Sequence, residues 1–199
     1  MSAVTLPLVP FGGPLLTDPE ADLVVQAAQG DAEAFGNLYA RHLPGLYRYI
    51  LARLRDKLEA EDLVEAVFLR AWEALPTYRI GEFPFSAWLH RVGHNLLVDH
   101  YRSWRTRKAL ADEAVEDTDL EDPGSWPEEA VLASERRRWV QGALARLRPE
   151  YQQILALRFV SGLSHAEAAE VLGVNPGTVR VLQHRALKAL LAGLQGEEG

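Results

Sequence analysis

The chain has 199 residues, enough for one domain or two small ones, and 48% of them are hydrophobic, which supports real cores and excludes wholesale disorder. It contains no cysteine, so disulfides, Cys-based zinc sites and thiol catalysis are excluded together, and a cytoplasmic location is favoured over secretion. The net charge of −7 looks unfavourable for binding nucleic acid, but nine acids and no base lie between Ala109 and Ala133, and without that block 21 basic residues stand against 19 acidic ones. Local charge rather than the total decides phosphate binding.

The first residues, Met1 to Leu16, are apolar and rich in Pro and Gly and carry no Lys or Arg. A secretory signal needs a positive n-region, so residues 1–17 are expected to form a flexible tail. No apolar run approaches the ~18 residues of a membrane span, so membrane insertion is not expected. Asp18-Pro19 starts a helix that runs to about Gln29 and stops at Gly30. Asp31 caps the next helix, which continues to about Arg55 with Pro44 expected to kink or split it. From Glu59 to Leu75 the residues Leu63, Val67, Ala71 and Leu75 repeat at i+4, with Phe68 and Trp72 beside them, until Pro76 closes the helix. A loop over Pro76 to Pro84 precedes a long helix from about Ser86 to Lys108, whose buried stripe is expected to be Trp88, Val92, Leu96 and then Asp99 or His100. The acidic stretch that follows, with Pro123, Gly124 and Pro127, reads as a linker. Helix resumes over Glu128 to Leu147, again from Pro149 to near Gly162, and in two shorter helices from about His165 to Leu172 and Pro176 to Leu194. The fold expected is all-α: two small helical modules joined by an acidic linker, with boundaries at 1–17 (tail), 18–108, 109–127 (linker) and 128–199.

Ser164 and Glu167 form a capping-box pattern, Gly173 suits a left-handed turn, Val174 is placed to plug that turn, and Asn175-Pro176 starts the second helix with a cap and a first-turn proline. Two helices joined by a turn of three to four residues containing Gly form a helix-turn-helix, the DNA-reading pattern. The second helix has no acid between Pro176 and Leu194. Val179, Ala186 and Leu190 are expected to face inward. Gly177, Thr178, Arg180, Val181 and His184 would enter the major groove, while Arg185 and Lys188 hold phosphates. The helix from Ser86 to Lys108 carries Arg91, Arg102, Arg105, Arg107 and Lys108 against a lone Asp99, with Asn95, Tyr101 and Trp104 interleaved. Aromatics and backbone-tracking charge are what hold unpaired bases. The preceding loop, with Tyr78 and Phe83, could wall in an unstacked base. His90 and His94 have the i+4 spacing of a metal pair, but position 91 is Arg rather than the activating Glu, so surface histidines are expected and no metal or cofactor. No Gly-rich phosphate loop, nucleophile elbow or carboxylate pair points to an enzyme.

Three stretches resemble one family. The run Ala60 to Trp72 (AEDLVEAVFLRAW) resembles the polymerase-clamp-binding helix of bacterial sigma factors. Phe85 to Asp99 (FSAWLHRVGHNLLVD) is similar to the promoter-melting helix that follows it, and Leu163-Ser164 through Gly177-Thr178-Val179-Arg180 to the reader of the upstream promoter element. The resemblance covers about Asp22 to Ala192, and the short two-module form is similar to the extracytoplasmic-function (ECF) subgroup. It implies an alternative sigma factor, not an enzyme, that binds core RNA polymerase and promoter DNA, initiates transcription of a stress- or signal-dependent regulon, and is held by an anti-sigma factor. It further implies that Asp62, Leu63, Glu65, Phe68 and Arg70 meet polymerase and that Tyr78, Arg79, Asn95, Asp99 and Arg102 serve downstream promoter DNA, with bracing of its own helix the alternative role for Asp99. A linker of about 20 residues reaches at most ~70 Å, which matches promoter elements one and a half to two DNA turns apart, ~50–70 Å. Three positions depart from the family pattern: Glu65-Ala66 stand where Gln and an acid are usual, Val181-Leu182 where Ser-Arg is common, and His94 where Arg is common.

Overall fold

The computed structural model describes residues 19–79, 83–111 and 139–195. The expected tail 1–17, the acidic linker beyond Ala111 and the start of the helix expected from Glu128 lie outside them. Among the described residues every regular element is a helix: α1 (Pro19–Ala28), α2 (Ala32–Leu54), α3 (Lys57–Ala74), a 3-10 turn (Leu75–Thr77), α4 (Phe85–Ala111), α5 (helical over 139–145), α6 (Pro149–Leu155) running on through one π turn (Ala156–Val160), α7 (His165–Leu172) and α8 (Pro176–Gln195).

The starts and stops follow from short polar side chains. The Asp31 carboxylate accepts from the N–H groups of Glu33 and Ala34 at 2.9 and 3.1 Å, and Asp56 accepts from Glu59 N–H at 2.9 Å. Each such cap is worth about 1 kcal/mol. α2 ends on Arg55, left-handed at φ 60°, whose N–H returns to the Leu51 carbonyl. Pro44 does not split α2, which is continuous over 23 residues. An interior proline costs about 3 kcal/mol, but Leu38, Leu46, Tyr49 and Ile50 on either side of it are fully buried, and their packing holds both halves of the helix.

In the first module α3 packs across α2 through Ala60, Val64, Val67, Phe68 and Ala71, with Phe35 edge-on to Phe68 and Trp72, and Leu75 of the 3-10 turn is buried beside them. α4 closes this core with a buried face that differs from the expected stripe: Phe85, Leu89, Gly93 and Leu97 are buried, and Trp88, Val92 and Leu96 are half-buried at its margin. The close approach occurs at Gly93, which sits against Leu46, Val67 and Ile50. A glycine carries no side chain to advertise burial, which is why the pattern of large apolar residues pointed to the wrong face. Asp99 is exposed and His100 pairs with Glu59 at 3.3 Å.

The second module is built on Ile154, Leu155, Leu157, Leu163, Ala168, Ala169, Val171, Val179 and Ala186. It packs directly on the first. α7 lies on α4, and the π turn lies on α2. Polar contacts cross the seam among the described residues: Arg53 Nη1 donates to Gln152 Oε1 at 3.0 Å, the Gln153 amide lies 2.6 Å from His94 Nδ1, and Arg91 pairs with Glu170. The apolar core is continuous from one module to the other.

Candidate nucleic-acid and polymerase interfaces

The helix-turn-helix is formed by α7 and α8. Ser164 Oγ accepts from Glu167 N–H at 3.2 Å, and Glu167 Oε2 accepts from Ser164 N–H at 2.7 Å, so the capping box is complete. Gly173 turns the chain at φ 65°, and Asn175 Oδ1 accepts from Thr178 N–H at 2.8 Å to start α8. Val174 is exposed and does not plug the turn; Leu172 is packed against the core just before it. In α8 Val179 and Ala186 are fully buried, and Leu182 and Leu190 pack beside them. Gly177, Arg180, Val181, His184, Arg185 and Lys188 therefore form the opposite, exposed face, with Thr178 half-buried at its edge. The side chain at 181 is an exposed valine, so that position offers an apolar contact, suited to a thymine methyl rather than a phosphate.

In the first module, Tyr78 packs at a tilt against Trp88 with ring centres 5.1 Å apart and meets Phe85 edge-on at 6.0 Å. Its hydroxyl donates to the Phe83 carbonyl. Burial, and then the Glu20 carboxylate, push its ionisation above the ordinary value of 10.0, so the phenol stays neutral and holds the loop end against α4. Thr77, Tyr78, Arg79, Phe83, Trp88 and Arg91 line a cavity of about 230 Å³ that Glu170 of α7 completes. This is room for one flat ring beside two guanidinium groups. Of the predicted downstream residues, Tyr78 and Arg79 are here, whereas Asn95, Asp99 and Arg102 form an exposed stripe further along α4, ~10–20 Å away at 1.5 Å per residue. Asp99 pairs with Arg102 at 3.5 Å, both side chains being exposed. Trp88 and Arg91 were not in the predicted set; their i+3 spacing on the helix after the loop was the available signal.

On α3, Asp62, Glu65 and Arg70 are exposed and Leu63 is half-buried. Phe68 is turned inward, 3% exposed among Phe35 and Tyr39, so this residue of the predicted polymerase set supports the helix from behind. Leu69, outside the apolar stripe, is instead 63% exposed on the outer face, beside Asp62 and Glu65. Leu58 is exposed at the start of the same helix.

His90 and His94 are not surface residues. His90 is 4% exposed, its Nδ1 donating to the Ser86 carbonyl at 2.8 Å and its ring 5.4 Å from that of Tyr49. Burial lowers its pKa below 6.5, against the opposing pull of the Ser86 hydrogen bond. His94 faces Gln153 across the module seam and is also lowered, first by burial and then by Arg53. The helix-surface reading failed because the second module covers α4. No cluster of three metal-ligating side chains occurs among the described residues. None of their helices is long and apolar enough to cross a membrane.

Residues 38–108 match the family model described as Sigma-70 region 2, and residues 137–190 that described as Sigma-70, region 4. The chain is 39% identical over 169 residues to the ECF RNA polymerase sigma factor BldN of Streptomyces coelicolor, covering 85% of this chain and 63% of that protein. It is 34% identical to the ECF sigma factor ShbA of Streptomyces griseus, covering 92% of that protein. Among solved structures it resembles CnrH in complex with the cytosolic domain of CnrY, with 30% identity, a TM-score of 0.68, and coverage of 90% of this chain and 99% of that one. With both domain types in order around a linker and two exposed basic or aromatic faces, the chain belongs to the ECF RNA polymerase sigma factors.

Proposed function

We propose that the protein is an alternative sigma factor whose three faces act together: α3 docks on core RNA polymerase through Asp62, Leu63, Glu65 and Arg70, α8 reads the upstream promoter element, and the cavity at Tyr78 with the stripe Asn95, Asp99 and Arg102 takes the opened downstream element. The observation that carries this reading is the outward face of α8. Gly177, Arg180, Val181, His184, Arg185 and Lys188 are exposed together while Val179 and Ala186 anchor the helix from behind. Bidentate contacts from such a face discriminate bases by about 1–3 kcal/mol each, and the cations add affinity that falls with salt. Leu69 joins the polymerase face as an apolar anchor among Asp62, Glu65 and Arg70. The downstream cavity supplies what an unstacked base needs, aromatic faces at Tyr78 and Trp88 and cationic partners at Arg79 and Arg91.

The protein adds no chemistry of its own and needs no cofactor: it positions DNA on an enzyme that belongs to its partner, in the cytoplasm where polymerase works. An anti-sigma protein holds it inactive, as the complex of CnrH with CnrY suggests. Phe159, Leu187 and Leu191 are exposed apolar residues, the first two lining a groove of about 260 Å³ between the modules, and they offer that protein a docking surface. The test is a titration of fluorescently labelled protein with bacterial core RNA polymerase. Tight saturable binding, weakened at least ~10-fold by Asp62→Arg with Leu69→Glu while helicity is unchanged, is the expected result. Equal binding by wild type and variant would remove α3 from the docking face.

A further inference from the structure

The two DNA faces differ in the free protein. The α8 face is open to solvent, whereas the downstream cavity, though it reaches solvent through Thr77, Arg79 and Phe83, is walled on one side by the other module: α7, the first helix of the helix-turn-helix, lies on α4, and Glu170 forms part of the cavity wall. Glu170 is only 24% exposed in its side chain and pairs with Arg91, one of the two guanidinium groups lining that cavity. A carboxylate on that guanidinium competes with any DNA phosphate that reaches it, since both are anions that an arginine grips through the same N–H fork. Around this pair the seam is apolar, with Ala168, Ala169 and Val171 of α7 buried in a core shared with α4. Two further hydrogen bonds, Arg53 to Gln152 and Gln153 to His94, fasten its far side.

We infer that the chain regulates its own downstream site: in the free protein the helix-turn-helix module docks on the first module and Glu170 acts as an intramolecular stopper that competes with downstream DNA for Arg91. The inference rests on the downstream-DNA reading of the Tyr78 cavity. It requires that the modules part before downstream DNA enters, while the upstream face is available in both states. The apparent affinity for downstream DNA is the intrinsic affinity reduced by the open fraction, so weakening the stopper must raise it.

The absence of cysteine allows two to be introduced, at Ser103 and Ala192, for a donor–acceptor dye pair on the full chain. Three readouts are taken on wild type, Glu170→Arg and the swap Arg91→Glu/Glu170→Arg: transfer efficiency, binding of a random single-stranded 12-mer, and binding of a random duplex pool. Glu170→Arg should lower transfer efficiency and raise single-strand affinity about 3- to 10-fold, with duplex affinity changed less than about 2-fold. The swap should restore the wild-type transfer efficiency. Unchanged transfer efficiency in Glu170→Arg, with duplex binding intact, overturns the stopper and leaves the sigma reading standing. A fall in efficiency with no single-strand binding in either protein shows that the cavity does not take DNA, and overturns both the inference and the downstream reading it rests on. Single-strand and duplex affinities rising in parallel reflect added charge alone, and also overturn it.

Discussion

Gly93 is a point of close approach between α4, the helix carrying the downstream face, and the rest of its module, and enlarging it with a branched side chain should loosen that face measurably. A Cβ at this position would meet Leu46 Cδ1 at 3.1 Å, Val67 Cγ2 at 3.6 Å and Ile50 Cδ1 at 3.9 Å. Only the first is repulsive, since carbon pairs are content at about 3.5–4.0 Å. Leu46 is fully enclosed and has to leave its rotamer to retreat, which costs about 0.5–1.5 kcal/mol. Against this, alanine gains about 1 kcal/mol over glycine inside a helix. Gly93→Ala should therefore change stability by less than about 1 kcal/mol. Gly93→Val places two further carbons among Leu46, Val67 and Ile50 with a smaller helical gain, and overpacking of this kind costs about 1–3 kcal/mol. Thermal unfolding followed by circular dichroism should then fall by about 2–10 °C for valine, with little change for alanine. Shortening Leu46 to alanine should cost less in the Gly93→Val background than in wild type, a coupling of at least about 0.5 kcal/mol. A valine variant as stable as wild type, or strict additivity with Leu46→Ala, would refute the placement of α4 on α2.

Other consequences are open to test. Ser164→Ala removes the Ser164 half of the capping box of an eight-residue helix, and should cost about 1 kcal/mol in urea unfolding; no loss would mean α7 is held entirely by packing. His42, His90 and His94 all have pKa values lowered mainly by burial, so the unfolded chain binds more protons than the folded one below their ordinary value of 6.5. Stability is accordingly full above about pH 6.5 and should decline as pH falls through the window beneath it. His90→Asn, which keeps a donor for the Ser86 carbonyl, should flatten that decline, and a urea midpoint that rises on acidification would contradict the burial of these rings. Arg180→Ala should relax the sequence preference of duplex binding, a loss of about 1–3 kcal/mol on preferred sites, whereas Lys188→Ala should weaken all sites alike and reduce the salt slope by about 1. Selection of bound duplexes from a random pool distinguishes the two, and equal losses on every sequence for Arg180→Ala would remove it from base reading.

Much of this architecture is written in local chemistry. Asp31, Ser164, Glu167, Gly173 and Asn175 each act within four residues of themselves, and the structure places each in the expected cap or turn. The inward and outward faces of α8 were equally legible, because Val179 and Ala186 alternate with cations on a single helix. What the sequence concealed depends on contacts between distant segments. Pro44 looked like a break until the burial of Leu38 and Leu46 on either side was known. Phe68 carried a family role on an outer face, yet its ring meets Phe35 and Tyr39 from another helix. His90 and His94 read as surface residues because nothing in a helical pattern announces that a second module, joined through a long linker, will fold back over them. The same fold-back brings Glu170 to Arg91, a contact across 79 positions that no periodicity encodes.

The central claim is that these faces operate together on polymerase, and reconstituted initiation tests it most directly. Purified protein would be mixed with bacterial core RNA polymerase and a library of promoter fragments, and the transcripts sequenced from their 5′ ends. The account predicts initiation at a discrete set of fragments sharing two spaced elements, absent without the protein and abolished by Asp62→Arg with Leu69→Glu. Specific duplex binding by the protein alone, with no binding to core polymerase and no transcript, would contradict it.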